Sequence, residues 1–212
     1  MRKVIGICGL IGSGKGTVAD QLVEQNYKKI SFADKLKDGV STIFGWDRLL
    51  LEGDTRESRE WREVPDEFWS KELNKEVTPR LVLQLFGTDC MRMGFDDNIW
   101  VNLVKKEILD NPDQNYVIPD VRFPNEIDMV RELQGQVWQI RRGPKPLWWA
   151  TAIGINENWD TIETENHSMK VVFPEVHQSE WRWVLNDDKF DQIIENNDTL
   201  DKLIDRVNTL SE

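Results

Sequence analysis

Nine consecutive residues near the start of the chain, Gly9-Leu10-Ile11-Gly12-Ser13-Gly14-Lys15-Gly16-Thr17, carry the most specific chemistry in the sequence. They hold the GxxxxGK spacing of a loop that wraps a phosphate. Glycines let successive backbone N–H groups turn toward one anion without a side-chain clash. A helix beginning near Lys15 aims its positive end at the same point. The lysine then supplies a mobile charge for β- and γ-phosphates. The apolar run Lys3–Cys8 comes directly before the loop and a helical pattern directly after it. That context separates a nucleotide-binding loop from a chance glycine turn. Gly16 stands where a hydroxyl commonly follows the lysine, and Thr17 comes one place later, so Thr17 is assigned to phosphate contact.

A second constellation lies further on. Asp120 ends a third apolar strand, where an acidic residue can organise a hydrated magnesium ion, and Arg122 follows two residues later. Both can reach the crevice at the carboxyl ends of parallel strands. The competing reading is a surface ion pair between the two. Arg80 sits in the first turn of a helix opened by Thr78-Pro79, where a cation gains nothing from the macrodipole, which favours a functional role. Gly87-Thr88-Asp89 interrupts a helical pattern in mid-run and points to close approach of a ligand or a neighbouring backbone.

Composition narrows the partners. The net charge is -11 over 212 residues, with 39% hydrophobic and 31% charged. An acidic chain is poorly suited to wrapping long DNA or RNA, but small phosphorylated ligands remain compatible with it. Cys8 and Cys90 show no disulfide or metal spacing and are expected as reduced, core-packed thiols in a cytosol. His167 and His177 lack a paired ligand motif, so no zinc site is expected. Most of the ten tryptophans should be core or interface residues, with a few available to stack on a base. No run reaches the length of a membrane span, and the N-terminus fails as a secretory signal because its apolar stretch is short and broken by glycines.

The elements that must position these residues read as an alternation. Strands are expected at 3–8, 29–32, 116–119, 137–140 and 190–194. Helices are expected at 17–25 (with Val18, Leu22 and Val23 on one side), 33–44, 78–86, 99–109, 126–133 and 199–210. Residues 46–74 are rich in Glu, Arg and Trp and read as mobile helices and loops inserted over the site, and 143–174 as an irregular flap. Short apolar strands alternating with helices predict an α/β sheet with parallel crossovers.

The GKGT ending resembles adenylate kinase and related nucleoside monophosphate kinases, in which magnesium is held mainly by phosphates and water. A fuller resemblance rests on Gln84-Leu85-Phe86-Gly87-Thr88-Asp89, Ile99-Trp100-Val101, Val117–Glu126, His177-Gln178-Ser179-Glu180 and Asn196-Asn197-Asp198-Thr199-Leu200. Together these look like the deoxynucleoside monophosphate kinases of tailed bacteriophages, over nearly the whole chain and in the family's order. The resemblance implies a three-layer P-loop kinase fold: one domain over 1–212 with a mostly parallel five-stranded sheet, a helical acceptor-binding insertion at about 45–95 and a flap or lid at about 143–176. It also implies transfer of the γ-phosphate of ATP to a deoxynucleoside 5′-monophosphate, with magnesium, often in a homodimer.

Carried over by position, Gly12, Ser13, Gly14, Lys15, Gly16 and Thr17 hold the donor phosphates, and Arg142 belongs to the donor-side flap. Lys37, Arg56 and Arg80 grip the acceptor, while Gly87, Thr88 and Trp100 fall in its base-and-sugar pocket. Asp120 (through water to the metal) and Arg122 lie between the two nucleotides, with Lys15 and Arg80 completing the catalytic set. Lys37 and Arg56 also read as solvated charges, Trp100 as a core residue, and His177–Glu180 as a helix cap. Compared with T-even type members, the insertion is shorter and the flap longer, with Trp148, Trp149 and Trp159 in it, so base specificity does not transfer. Two alternatives stay open: a related kinase acting on a modified base within DNA, and a nucleotide-binding regulator without transfer activity. Dephospho-coenzyme A kinase shares the loop and sheet, but the 87–89 and 120–126 segments fit it poorly.

Overall fold

A computed structural model of the chain describes residues 2–159 and 168–211. Residues 160–167 of the expected flap, His167 among them, lie outside the described residues. The chain separates into two compact units, Met1–Ser31 with Glu107–Glu212 and Phe32–Lys106.

The first unit is built on five parallel strands, β1 (Val4–Gly9), β2 (Tyr27–Lys29), β3 (Asn115–Ile118), β4 (Gln136–Arg141) and β5 (Gln192–Glu195), in the order β2-β3-β1-β4-β5. Every residue of the central strand β1 is buried, as expected for a strand covered on both faces. The pleat sends its side chains alternately to the two layers. Ile5 and Ile7 join Val18, Ala19 and Leu22 of α1 (Lys15–Glu24) and Leu203 and Val207 of α10 (Leu200–Ser211) in one core. Gly6 faces the other layer, where a Cβ would come within 2.9 Å of Val130 on α7 (Pro124–Glu132). The architecture is therefore the expected three-layer α/β fold.

Several local expectations need correction. Val23 is exposed and Ala19 takes its place in the core, because α1 begins at Lys15 and its buried stripe runs through Val18, Ala19 and Leu22. β2 lies upstream of the expected 29–32, with Tyr27 as its buried anchor and Lys29 opposite Val117. The stretch read as irregular holds two helices, α8 (Trp149–Glu157) and α9 (Ser168–Val172). α8 buries Trp149, Ala152 and Ile155, and its Asn156 donates to the carbonyls of Trp181 and Val184. Cys8 is buried, but Cys90 is exposed rather than core-packed.

The second unit contains α2 (Asp34–Phe44), α3 (Arg56–Glu63), α4 (Glu67–Glu72), α5 (Pro79–Gln84) and a π-helix (Leu85–Met93), and α6 (Ile99–Asp110) carries the chain back to the first. Its core is Val40, Leu51, Val77 and Val82, surrounded by Phe44, Trp46, Trp61 and Trp69. These rings pack on one another: Phe44 stacks on Trp46, and Trp46 meets Trp61 edge-on. Thr55, Asp66 and Thr78 cap α3, α4 and α5 with their side-chain oxygens, each satisfying an otherwise orphaned N–H. At Gly87 the helical pattern widens into the π-helix instead of breaking. A Cβ there would lie 2.8 Å from Leu36, so the close neighbour is a packed side chain.

Candidate active site

The phosphate loop joins the end of β1 to the start of α1. Gly12 and Gly14 take φ of 77° and 103°, a left-handed turn that side-chain-bearing residues adopt only with strain. A Cβ on Gly14 would also fall 2.4 Å from Nδ2 of Asn196. That amide donates to the carbonyl of Ser13 at 2.8 Å, and the backbone N–H of Asn196 donates to Arg141 at 2.7 Å. Asn197 accepts from the N–H of Gly143 at 2.7 Å. The two asparagines after β5 thus brace the loop and the root of the flap together. Ser13 is buried, and its hydroxyl has no partner among the described residues.

Lys15 donates from Nζ to the carbonyls of Gly9 at 2.7 Å and Leu10 at 2.9 Å. Burial pushes its ammonium below the usual lysine range, and the nearby Arg122 guanidinium adds to that, while Glu180 and Asp120 pull the other way. Lys15, Arg122, Glu180 and Asp120 therefore share one electrostatic environment.

Asp120, just beyond β3, accepts from the hydroxyl of Ser31 at 2.6 Å. Arg122 is 43% exposed and pairs through one terminal nitrogen with Glu180 and Ser179, each at 3.4 Å. The ion pair weighed for Asp120 and Arg122 is thus one between Arg122 and Glu180. The main chain at Arg122 is held by Glu126, only 3% exposed, whose Oε2 accepts from the N–H groups of Arg122 at 2.6 Å and Phe123 at 3.1 Å. His177 caps the short 3₁₀ turn Gln178–Glu180, accepting from the N–H of Ser179 at 3.3 Å. The capping role weighed for it is the one seen.

On the flap side, Arg141 is turned inward to Gln139 and Asp187, while Arg142 is exposed. The Arg141 partnership holds the Asp187 carboxyl below the usual range. Gly16 and Thr17 are exposed on the first turn of α1.

In the second unit each sequence-derived candidate has a defined setting. Lys37, 12% exposed, donates to Glu52 at 2.6 Å. Burial would raise the Glu52 carboxyl, but hydrogen bonds from Lys37 and Arg48 outweigh it and hold the group low. Arg80 pairs with Glu63 at 2.7 Å on the surface. Arg56 is 87% exposed and pairs with Glu60 one turn on, the solvated-charge arrangement. Thr88 is exposed on the π-helix. Trp100 is 6% exposed and donates its indole N–H to the carbonyl of Gly87 at 3.0 Å. It fills the core and fixes the π-helix, the core role weighed for it.

Sequence reasoning missed Ser31, Glu126 and Asn196 as supports. Asn196 stood only within a family-like segment, although a polar pair directly after a last strand is a signal for loop bracing. Among the described residues no group of three or more His, Cys, Asp or Glu could hold a metal ion, and no helix is long and apolar enough to cross a membrane.

Comparison with known proteins places this site in a lineage. The family model described as deoxynucleotide monophosphate kinase matches residues 50–146. That span holds Arg80, Gly87–Asp89, Asp120, Arg122 and Arg142. A protein of Acanthamoeba polyphaga mimivirus named "Putative deoxynucleotide monophosphate kinase" is 36% identical over 152 residues, covering 66% of this chain and 74% of that one. The deoxynucleoside-5′-monophosphate kinase of Escherichia phage T5 is 27% identical over 182 residues, covering 62% of this chain and 73% of that protein. A solved dephospho-CoA kinase from Campylobacter jejuni aligns over 99% of this chain and 96% of its own at 16% identity and a TM-score of 0.42, too distant to bear on function. With the mimivirus relative sharing more than a third of its residues across three-quarters of its length, the chain belongs to the deoxynucleotide monophosphate kinase family.

Proposed function

We propose that this family member transfers the γ-phosphate of ATP to the 5′-phosphate of a deoxynucleoside monophosphate, giving the diphosphate and ADP for DNA-precursor synthesis. The observation that carries the reading is Lys15, parked on carbonyls of the phosphate loop, within electrostatic reach of Arg122 and Asp120. The loop fits a triphosphate: left-handed glycines, a buried hydroxyl at Ser13 awaiting a partner, and a lysine held only by neutral acceptors.

On ATP binding, the loop N–H groups of Gly12–Thr17 surround the donor phosphates, and Lys15 exchanges two carbonyl dipoles for phosphate charge. Arg122 leaves Glu180 for the transferring group, and the charge of both cations is greatest in effect as negative charge spreads in the transition state. Asp120, oriented by Ser31, would hold magnesium through water, and that ion supplies neutralisation of the phosphate oxygens. Lys37 and Arg80 serve the acceptor, Arg56 staying solvated beside Glu60, with Gly87, Thr88 and Trp100 shaping its base-and-sugar pocket, Trp100 from behind. Arg142 serves the donor from the flap. The chain works as one kinase domain, with the homodimer as its assembled form, which light scattering checks.

A coupled ADP-release assay with each of the four deoxynucleoside monophosphates, their hydroxymethyl analogues and duplex DNA tests the reading. Saturable turnover on monophosphates is expected. Turnover on DNA alone sinks it, and ATP binding without turnover on any acceptor would make the protein a regulator.

A further inference from the structure

Most cations of the second unit have a partner; of those whose side chains have none among the described residues, Lys71 and Lys75 are exposed and Arg62 is partly buried. Lys37 is held by Glu52, Arg48 by Asp38 and Glu52, Arg56 by Glu60, and Arg80 by Glu63. Arg59 donates to the carbonyl of Asp54. Arg62, in the last turn of α3, is partly buried; its side chain makes no hydrogen bond or ion pair with any described residue, and its Nε is sealed from solvent without a partner. The carboxylates that favour its charge, Glu63 and Glu52, are already engaged by Arg80 and by Lys37 and Arg48.

The guanidinium is nevertheless placed. A Cβ built on Gly53 would lie 2.1 Å from its central carbon and 2.0 Å from one terminal nitrogen. Gly53 has φ of 73°, so the loop turns there in a conformation that favours glycine and leaves room only for the planar group. Burial and the like charges of Arg80 and Arg59 all work against charging Arg62. An unpaired cation removed from water is costly unless an anion completes it. A rigid guanidinium fork matches a phosphate with two parallel hydrogen bonds.

We propose that Arg62 binds the 5′-phosphate dianion of the acceptor nucleotide, with Gly53 as the residue that seats its guanidinium. The assignment rests on the kinase reading above. It places the grip of α3 six residues beyond Arg56, which is solvated.

The test separates KM for the deoxynucleoside monophosphate from KM for ATP in Arg62→Ala, Arg62→Lys and Gly53→Ala, alongside thermal unfolding. Arg62→Ala should raise the acceptor KM at least about tenfold and leave the ATP KM and the unfolding midpoint unchanged. Arg62→Lys should recover part of the loss, and Gly53→Ala should reproduce it by displacing the guanidinium. An unmoved acceptor KM, an equal rise in both KM values, or a lowered midpoint with normal KM values overturns the proposal. Calorimetric titration of a monophosphate into wild type and Arg62→Ala decides the point independently of turnover. A wild type that binds monophosphates but phosphorylates none refutes the kinase reading, whereas equal affinity of the two proteins refutes the role of Arg62.

Discussion

In the parallel-sheet unit Lys15 rests on two main-chain carbonyls, whereas in the aromatic unit Lys37 is clamped at 2.6 Å by the carboxylate of Glu52. The same residue type is therefore poised for an anion in one place and already answered in the other. Neutral dipoles give way to phosphate oxygens with little loss, because an anionic acceptor adds a full opposite charge to a bond whose donor is already ionised. An ion pair between side chains must be broken before its cation can serve a ligand, so engagement of Lys37 or Arg80 by an acceptor is a competition. Arg122 stands between these cases: its partner Glu180 is a carboxylate, but at 3.4 Å the pair is loose and half-exposed.

The contrast can be broken most severely at Arg122. Arg122→Ala should lower kcat at least about 100-fold with the fold intact, as expected for lost charge stabilisation in the transition state. Near-normal kcat would return Arg122 to a surface pair with Glu180.

Raising the pH acts on the same side of the comparison. Lys15 has a depressed folded pKa, so between that value and the ordinary 10.5 the native state binds fewer protons than the unfolded chain. Its contribution to stability therefore rises with pH through this window, while ATP affinity falls through it. Urea unfolding of wild type against Lys15→Met, together with ATP titrations, should show these opposite slopes, and parallel slopes would show that Lys15 keeps its proton like an ordinary lysine.

Loop bracing should give a smaller effect. Asn196→Ala removes the donor to Ser13 and should destabilise by about 1–3 kcal/mol and raise the ATP KM several-fold while sparing the acceptor KM. A uniform loss of kcat would instead place Asn196 at the chemistry.

On the acceptor side, Trp100→Phe keeps a buried aromatic ring but loses the indole bond to Gly87 and part of the buried ring volume. It should reduce stability by about 1–3 kcal/mol and leave base preference unchanged. Altered discrimination among the four monophosphates would give Trp100 direct contact with the base. The smallest change belongs to Arg56→Ala, where an exposed one-turn ion pair contributes about 0.3–0.5 kcal/mol. Steady-state kinetics should find its acceptor KM within about twofold of wild type, in contrast to Arg62→Ala.

The fold was most readable where one element alone sets the conformation. The apolar strand, glycine turn and helix at 4–24 need no distant partner to be recognised, and Thr78-Pro79 marks a helix start by its own capping chemistry. Residues 46–74 resisted because α3 and α4 have only eight and six residues, too few for periodicity to emerge. Their stability comes from tryptophan rings meeting across the unit. α8 was hidden for another reason: its sequence Trp149–Glu157 is apolar around most of its circumference, so no polar face marks the helix.

By itself, the sequence determined the phosphate loop, the parallel α/β alternation and the resemblance to deoxynucleoside monophosphate kinases. Each of these depends on residue types at short spacing. Tertiary structure alone decided which charges are available. Arg56 and Arg62 lie on one short helix and look alike in the chain, yet one is solvated beside Glu60 and the other is seated against Gly53 without a carboxylate. Charge is a property of the residue, but its desolvation and its partners are set by neighbours distant in sequence, and those determine what an arginine can bind.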